Sequence, residues 1–101
     1  MLLRFTFKDL TTLPSAIYGF HAKLPEISAV YICVSVDQQV LYVGQTQNLK
    51  TRLTSHNKKF ELEALECFKV CYVACRRDVA VRKSLARLVK LSLKPLLNRS
   101  C

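Results

Sequence analysis

Two β-rich runs joined by a polar tripeptide constrain the fold of this sequence more than any other feature. Residues 29–36 and 40–44 are dominated by valine, tyrosine and other residues that favour strands. The polar residues 37–39 between the two runs favour a tight turn. The pattern therefore predicts a β-hairpin.

The register of this hairpin is expected to bring two tyrosines together. A two-residue turn at 37–38 would place Tyr42 opposite Cys33 and Gly44 opposite Tyr31. Side chains on one face of paired strands interact with their diagonal neighbours, so the two phenols should share a face. Gly44 is one of only two glycines in the chain and allows close approach of a backbone or a turn into a helix.

Helices and a third strand follow the hairpin. Thr46 or Asn48 can cap a helix that extends to about Lys59. Arg52 and His56 lie one turn apart on this helix and are expected to project to the same side. The other predicted elements are a helix at 61–66, a strand at 68–75 and a helix from about 79 to 94, capped by Asp78. The order β-β-α-α-β-α predicts an α/β fold, with a small three-stranded antiparallel sheet flanked by helices.

Residues before the hairpin give weaker signals. A helix-like piece is predicted around 15–20, and Pro25 interrupts the chain before the first strand. We interpret 1–27 as an N-terminal leader that packs on or extends the domain, and 28–101 as the domain itself.

The charge balance points to a polyanionic partner. The 101 residues carry 16 Lys and Arg against 7 Asp and Glu, a formal net charge of +9. This length suits one domain with a single core and excludes a multi-domain architecture. Phosphate contacts by Lys and Arg supply most non-specific nucleic-acid affinity. Basic ribosomal and membrane-surface proteins share the property, so charge alone does not choose among them.

The last predicted helix concentrates this charge. Lys83, Arg87, Lys90 and Lys94 recur at offsets of 4, 7 and 11, which aligns them along one side. Many such stripes are only solvated helix faces. Together with the excess of positive charge over the whole sequence, this one predicts contact with nucleic acid. The predicted apolar face consists of Val81, Leu85, Leu88, Val89 and Ser92.

Apolar runs in the sequence are broken well before the roughly 18 residues that a membrane-spanning helix needs. The first nine residues carry charge within their apolar stretch and lack a cleavage site, so no signal peptide is predicted. A cytoplasmic location without membrane association is the default expectation. Five cysteines are an odd number, which makes a disulfide framework an unfavoured interpretation in that compartment.

The cysteine spacing offers one metal-site interpretation. Cys67, Cys71 and Cys75 are each four residues apart and could line one face of a helix. The β-forming residues at 68–75 favour a strand instead, with Cys71 and Cys75 as small buried residues.

Several of these residues occur in the same order as the signature residues of a known protein family. Ala29-Val30-Tyr31 precedes Tyr42-Val43-Gly44, and Lys94-Pro95-Leu96-Leu97-Asn98 closes the sequence. In this order the sequence resembles the GIY-YIG nucleases, over about residues 28–98. The intervening residues that also fit the family are Gln45-Thr46, Asn48-Leu49, Arg52-Leu53 and His56-Asn57.

The resemblance implies roles for five residues in phosphodiester hydrolysis. Tyr31 would abstract a proton, and Tyr42 would contact the phosphate or the attacking water. Arg52 would stabilise the charge on the phosphate, and His56 would assist proton transfer or hold the phosphate. Asn98 would fix the closing segment to the framework of the active site.

The family also uses one divalent ion, Mg²⁺ or Mn²⁺, held largely by a glutamate on the last helix. Counting back from Pro95 and Asn98, that position is occupied by Ala86, whose methyl group cannot ligate a metal. Three interpretations are open: a Glu→Ala substitution made to inactivate the protein, a natural loss of the ligand, or a different ligand because the register is wrong. In the last case the carboxylate would come from Asp78, Glu61 or Glu66.

These inferences together predict a metal-dependent DNA endonuclease whose present chain, which binds no metal, is inactive because of Ala86. Tyr31, Tyr42 and Arg52 are expected to gather with Ala86 in one basic hollow, and Lys50 is expected to join the stripe in DNA contact. The alternative is a natural, non-catalytic nucleic-acid-binding module of the same fold. One site cuts one strand, so double-strand cleavage would require successive nicks or a homodimer.

Overall fold

The structure, a computed structural model, describes residues 12–19, 23–75 and 78–97 of the chain. The strands are β1 (Ser15–Ile17), β2 (Ala29–Ser35), β3 (Val40–Thr46) and β4 (Cys67–Ala74). They form one antiparallel sheet with the strand order β1-β4-β2-β3, and helices cover both of its faces. The helices are α1 (Leu49–Thr54), α2 (Lys59–Ala64) and α3 (Val79–Leu93). The α/β architecture is as predicted.

The sheet has four strands, and the prediction of three was wrong. Ser15–Ile17 pairs with β4 as an edge strand, where a helix-like piece had been expected. Tyr18 N donates to Phe68 O at 2.8 Å, and Tyr72 N donates to Pro14 O at 3.0 Å. Pairing satisfies backbone groups of β4 that would otherwise form an open sheet edge, and this tertiary gain outweighs local helical preference.

The hairpin of β2 and β3 has the predicted register at the tyrosines, with Cys33 opposite Tyr42 and Tyr31 opposite Gly44. Its turn is longer than two residues, because the register shifts by one between Cys33 and Val34. Ser35 N donates to Gln39 O at 2.9 Å, which closes this wider turn. The irregularity lies beyond the tyrosines and leaves their pairing intact.

Helix α1 ends at Thr54, five residues earlier than predicted, so His56 follows the helix and does not lie on it. Asn48 caps its first turn by accepting from Thr51 N at 3.1 Å. Ser55 then leaves helical geometry at φ −128° and ψ 50°. The expected shared helical face of Arg52 and His56 is therefore wrong. Helix α2 likewise begins and ends two residues before its predicted bounds.

Helix α3 begins after Asp78 as predicted, with the Asp78 carboxylate accepting from Ala80 N at 2.9 Å. Its predicted apolar face is confirmed at Val89, which is buried, and at Leu85, which packs against the core. The prediction is wrong at Val81, which is exposed, and it omitted Arg82, which is buried. The buried line is Arg82, Ala86 and Val89. The small Ala86 side chain lets the helix approach the sheet closely, so this line faces β2 and β3.

Two hydrophobic clusters sandwich the sheet, and β2 is buried along its whole length because both of its faces are covered. The cluster under α3 includes Val30, Ile32, Val43, Ala86 and Val89. The cluster under α1 and α2 includes Tyr31, Cys33, Leu41, Leu49, Leu53 and Leu62.

The other sequence predictions concern membranes and metals. Among the described residues, no helix combines the length and apolarity needed to traverse a bilayer. Cys71 is buried in a strand, as predicted, and Cys75 is half-buried just beyond it. Within residues 12–19, 23–75 and 78–97, His, Cys, Asp and Glu form no group of three or more that could hold a metal ion.

Candidate functional site

Tyr31, Tyr42 and His56 form a compact group, the tyrosine–histidine cluster, on the face of the sheet that α1 and α2 cover. The ring centroids of Tyr31 and Tyr42 are 6.1 Å apart. The His56 ring stands nearly perpendicular to both phenols, 5.6 Å from Tyr31 and 4.9 Å from Tyr42 by ring centroids. The predicted diagonal pairing of the two tyrosines is confirmed.

Gly44 makes room for this cluster. A Cβ atom at position 44 would lie 2.5 Å from Tyr31 Cζ and 2.8 Å from Tyr31 Cε1. The Tyr31 ring therefore lies over the Gly44 backbone, in space that any larger residue would fill. The glycine serves a close approach, as expected, and the approaching group is a phenol ring.

The hydrogen bonds of His56 determine which of its ring nitrogens carries the proton. Lys58 N donates to His56 Nδ1 at 2.9 Å, so Nδ1 is an acceptor. The proton of the neutral imidazole then lies on Nε2, which is 2.7 Å from the Tyr31 hydroxyl oxygen and donates to it. With 5% of its surface exposed, His56 is a buried residue of the site and not a surface histidine.

Tyr31 is the buried phenol of the cluster. Only 1% of Tyr31 is exposed, and burial raises the pKa of its phenol well above the usual range. Tyr42 and Cys33 raise this pKa further. Tyr42 is half-buried. Tyr31 therefore keeps its proton, and Tyr42 is the phenol of the cluster that lies nearer to solvent.

Arg52 contributes positive charge next to the cluster. Its side chain is exposed on α1 and lowers the pKa of Tyr31, against the larger effects of burial and Tyr42. Arg52 also borders a shallow hollow of about 310 Å³. The other residues of this hollow are Thr46, Gln47, Asn48, Thr51 and Ser55. An anion at the end of β3 would lie within reach of this guanidinium.

The cationic stripe lines a second and larger hollow, which we call the α3 groove. It encloses about 770 Å³ between α3 and the end of β3. All four stripe residues border it, which confirms that they share one side of the helix. The α3 groove is lined by Gln45, Lys83, Ala86, Arg87, Lys90, Leu91, Lys94 and Pro95.

Ala86 forms part of the floor of the α3 groove, with 3% of its surface exposed. The carboxylates considered as substitutes lie elsewhere. Asp78 caps the N-terminus of α3, Glu61 pairs with Lys58 at 3.9 Å, and the Glu66 carbonyl accepts from Val36 N beside the hairpin turn. Position 86 therefore faces the groove with a methyl group, among cations.

Arg82 is a component of this region that the sequence analysis missed. It is 3% exposed, one turn before Ala86, and its Nε donates to Gln45 Oε1 at 2.9 Å. The signal was available in the sequence, since Arg82 and Ala86 are four residues apart and share a helical face. A buried arginine is unexpected there, so the pattern of apolar residues misled the assignment of the face.

The expectation of one basic hollow is wrong. Arg52 and Ala86 border two different hollows, and Tyr31 and Tyr42 border neither of them. Gly44 faces the tyrosine–histidine cluster, whereas Gln45 faces α3, because successive side chains of β3 point to opposite faces. Thr46 then borders the Arg52 hollow. The two hollows therefore flank the end of one edge strand. Lys50 lies on α1 and borders neither of them, and Asn98 lies outside the described residues.

A protein-family model matches the part of the chain that carries the tyrosine–histidine cluster. The model of the GIY-YIG catalytic domain family matches residues 27–80, more than half of the chain. This region includes both tyrosines, Gly44, Arg52 and His56, but ends before Ala86.

Individual relatives cover a similar length. The chain is 46% identical over 50 residues to the UvrABC system protein C of Rickettsia rickettsii (strain Sheila Smith) and to that of Rickettsia africae (strain ESF-5). It is 42% identical over 50 residues to the protein of the same name from Rickettsia canadensis (strain McKiel). In each case the aligned part is 44% of this chain and 8% of the relative.

Proposed function

Because the chain belongs to the GIY-YIG catalytic domain family, we propose that it binds DNA and is built as a phosphodiester hydrolase whose turnover depends on the residue at position 86. With Ala86, the chain holds DNA without cutting it. The observation that carries this proposal is the buried hydrogen bond between His56 Nε2 and the Tyr31 hydroxyl, with the Tyr42 ring packed against both and Arg52 nearby. The family and the likeness to UvrABC system protein C support a nuclease function.

Hydrolysis of a phosphodiester requires an acceptor for a proton of the attacking water and positive charge at the phosphate. The unequal burial of the two phenols favours Tyr42 as the acceptor. Tyr31 is buried and its raised pKa keeps its proton in place, whereas Tyr42 is half-buried and lies nearer to solvent. Tyr31, which the family resemblance suggested as the base, is then the positioning residue behind it. Arg52 supplies charge to the phosphate.

The family implies a divalent ion, but the residues around Ala86 do not fit one. Mg²⁺ takes oxygen ligands and is usually held by one or two carboxylates. Ala86 offers no ligand, and the Oε1 of the neighbouring Gln45 accepts from Arg82. The charged side chains that border the groove are all Lys or Arg. Repulsion from these cations adds to the lack of ligands, so we derive no step through a metal in this chain.

The experiment that tests this proposal restores the carboxylate. Ala86→Glu is expected to nick supercoiled plasmid DNA in Mg²⁺ or Mn²⁺, whereas the native chain leaves it intact. Ala86→Gln is the matched control, because it has the same size without the charge, and it should stay inactive. A folded Ala86→Glu protein that never nicks DNA would contradict the proposal.

The roles of the two tyrosines are separated in the Ala86→Glu background. Tyr42→Phe is expected to reduce the nicking rate by about 10²-fold or more, since it removes the proton acceptor. Tyr31→Phe keeps that acceptor and should cost less, with unchanged DNA binding in both variants. Equal nicking by all three proteins would exclude the cluster from the reaction.

A natural, non-catalytic DNA-binding module is the second candidate. The observation that favours it is the buried Arg82, which donates to Gln45 at the border of the α3 groove. Among the described residues, that border carries no carboxylate. On this interpretation Ala86→Glu would bind DNA and never cut it. The plasmid assay therefore distinguishes the two candidates. A homodimer is required only if both strands are cut together, which the ratio of nicked to linear plasmid would show.

A further inference from the structure

We propose that the α3 groove binds the phosphate groups of DNA directly through its own cations, and that this binding is independent of divalent ions. This inference rests on the proposed function, because it assumes that DNA is the ligand. It adds that arginine and lysine side chains occupy the role that the family resemblance gives to a carboxylate-held ion.

The composition of the groove supports direct anion binding. Lys83, Arg87, Lys90 and Lys94 contribute four positive charges to one hollow. Among the residues that the structure describes, the border of the groove includes no carboxylate to neutralise them. Charges of one sign within a concave surface focus the local potential and attract counter-ions. A phosphate is attracted to this hollow, whereas a divalent cation is repelled from it.

Arg82 adds a fixed positive charge on the same side of α3. A guanidinium stays protonated in proteins, and its burial and its hydrogen bond to Gln45 Oε1 hold it in place. It lies one turn from Ala86, where the small methyl group leaves the floor of the groove open. The side of α3 around position 86 is therefore positively charged.

The dimensions of the stripe suit a nucleic-acid backbone. Lys83 and Lys94 are eleven positions apart, which corresponds to about 16 Å along the helix axis. One strand of B-DNA places about five phosphates in that length. Leu91 and Pro95 provide apolar surface between the cations, against which the sugars can pack. The groove therefore matches an extended phosphodiester strand better than a single small anion.

The test measures how a fluorescently labelled DNA duplex binds in EDTA and in 2 mM MgCl₂, by anisotropy at constant ionic strength. The native chain is expected to bind in EDTA at least as tightly as in Mg²⁺. Ala86→Glu places a negative charge among the cations, so its affinity in EDTA should fall by about tenfold, roughly the cost of one phosphate contact. Mg²⁺ should recover most of that loss, because it can bind the new carboxylate. Ala86→Gln brings no carboxylate, so its affinity should not increase when Mg²⁺ replaces EDTA.

Two results would overturn the inference. The first is native binding that is five-fold or more tighter in Mg²⁺ than in EDTA, a result that needs no variant and so does not depend on whether Ala86→Glu folds. The second is the same response to Mg²⁺ from folded Ala86→Glu and Ala86→Gln. Either result leaves the proposed function standing, since DNA is still bound. Absence of DNA binding in both buffers would instead refute the proposed function itself.

Discussion

The two faces of β3 differ in how they could contact a charged ligand. On one face, Tyr31 and His56 are buried, hydrogen-bonded and packed against Gly44. On the other, the α3 groove is open and lined by four cations. The first depends on exact fit between neutral groups, and the second depends on accumulated charge.

This difference predicts unequal tolerance to change. A buried, close-packed cluster loses stability when a single atom is added, because its neighbours have no room to move. Exposed charges on a helix contribute little to stability individually, but each contributes to the field that a ligand meets. Mutations in the cluster should therefore affect folding and chemistry together, and mutations in the groove should affect binding alone.

The largest stability effect is expected from Gly44→Ala. The new Cβ would overlap the Tyr31 ring, which is held by His56 and Tyr42 and has little space into which to shift. We expect a loss of about 2 kcal/mol in the free energy of unfolding, measured by urea denaturation, because overpacking a core costs about 1–3 kcal/mol.

A double variant shows whether the ring causes that loss. In a Tyr31→Leu background the space over position 44 is larger, so Gly44→Ala should cost much less than it does in the native chain. An equal cost in both backgrounds would place the strain elsewhere and weaken the contrast between the two faces.

A smaller effect is expected from the titration of Tyr31. Because burial raises the pKa of the folded phenol, the folded chain keeps this proton above pH 10 while the unfolded chain loses it. The contribution of this proton to the free energy of unfolding is therefore fully present below the unfolded pKa of about 10. It is lost as pH rises above that value, at a limiting rate of about 1.4 kcal/mol per pH unit.

Tyr31→Phe removes this titration. Its unfolding free energy should fall less steeply than that of the native chain, with a difference of about 1 kcal/mol building up between pH 10 and pH 11. Between pH 7 and pH 9 the two proteins should differ by a constant amount, which serves as the internal control. Parallel curves up to pH 11 would mean that Tyr31 is not held neutral by its surroundings.

The face that carries the cluster could be predicted from the sequence because the hairpin is local. Successive side chains of a strand point to opposite faces, so the two strands and the short polar turn specify which side chains share a face. The irregularity near the turn did not disturb the pairing of Tyr31 with Gly44. The α/β order and the start of α3 at Asp78 were predictable for the same reason, since caps and periodicity are local signals.

The missed features depend on contacts between distant segments. The strand at Ser15–Ile17 forms because β4 offers an open edge, which no local pattern near residue 15 reveals. The burial of Arg82 depends on Gln45, which is 37 positions away. The early end of α1 turns His56 inward, where it meets Tyr31 from a different element. Sequence patterns predicted Arg52 and the cationic stripe, but only the fold shows that they border separate hollows.

The smallest stability effect, and the sharpest separation of the two faces, is expected from Arg87→Gln in the α3 groove. Arg87 is exposed, so the free energy of unfolding should change by less than about 0.5 kcal/mol. Its loss removes one cation from the phosphate path, so the slope of log K for DNA binding against log salt should decrease by about 0.9. Lys59→Gln removes the same charge from the exposed side of α2, outside the groove, and should leave that slope nearly unchanged. If both variants reduce the slope equally, DNA responds to the net charge of the whole molecule, and the groove has no privileged part in binding.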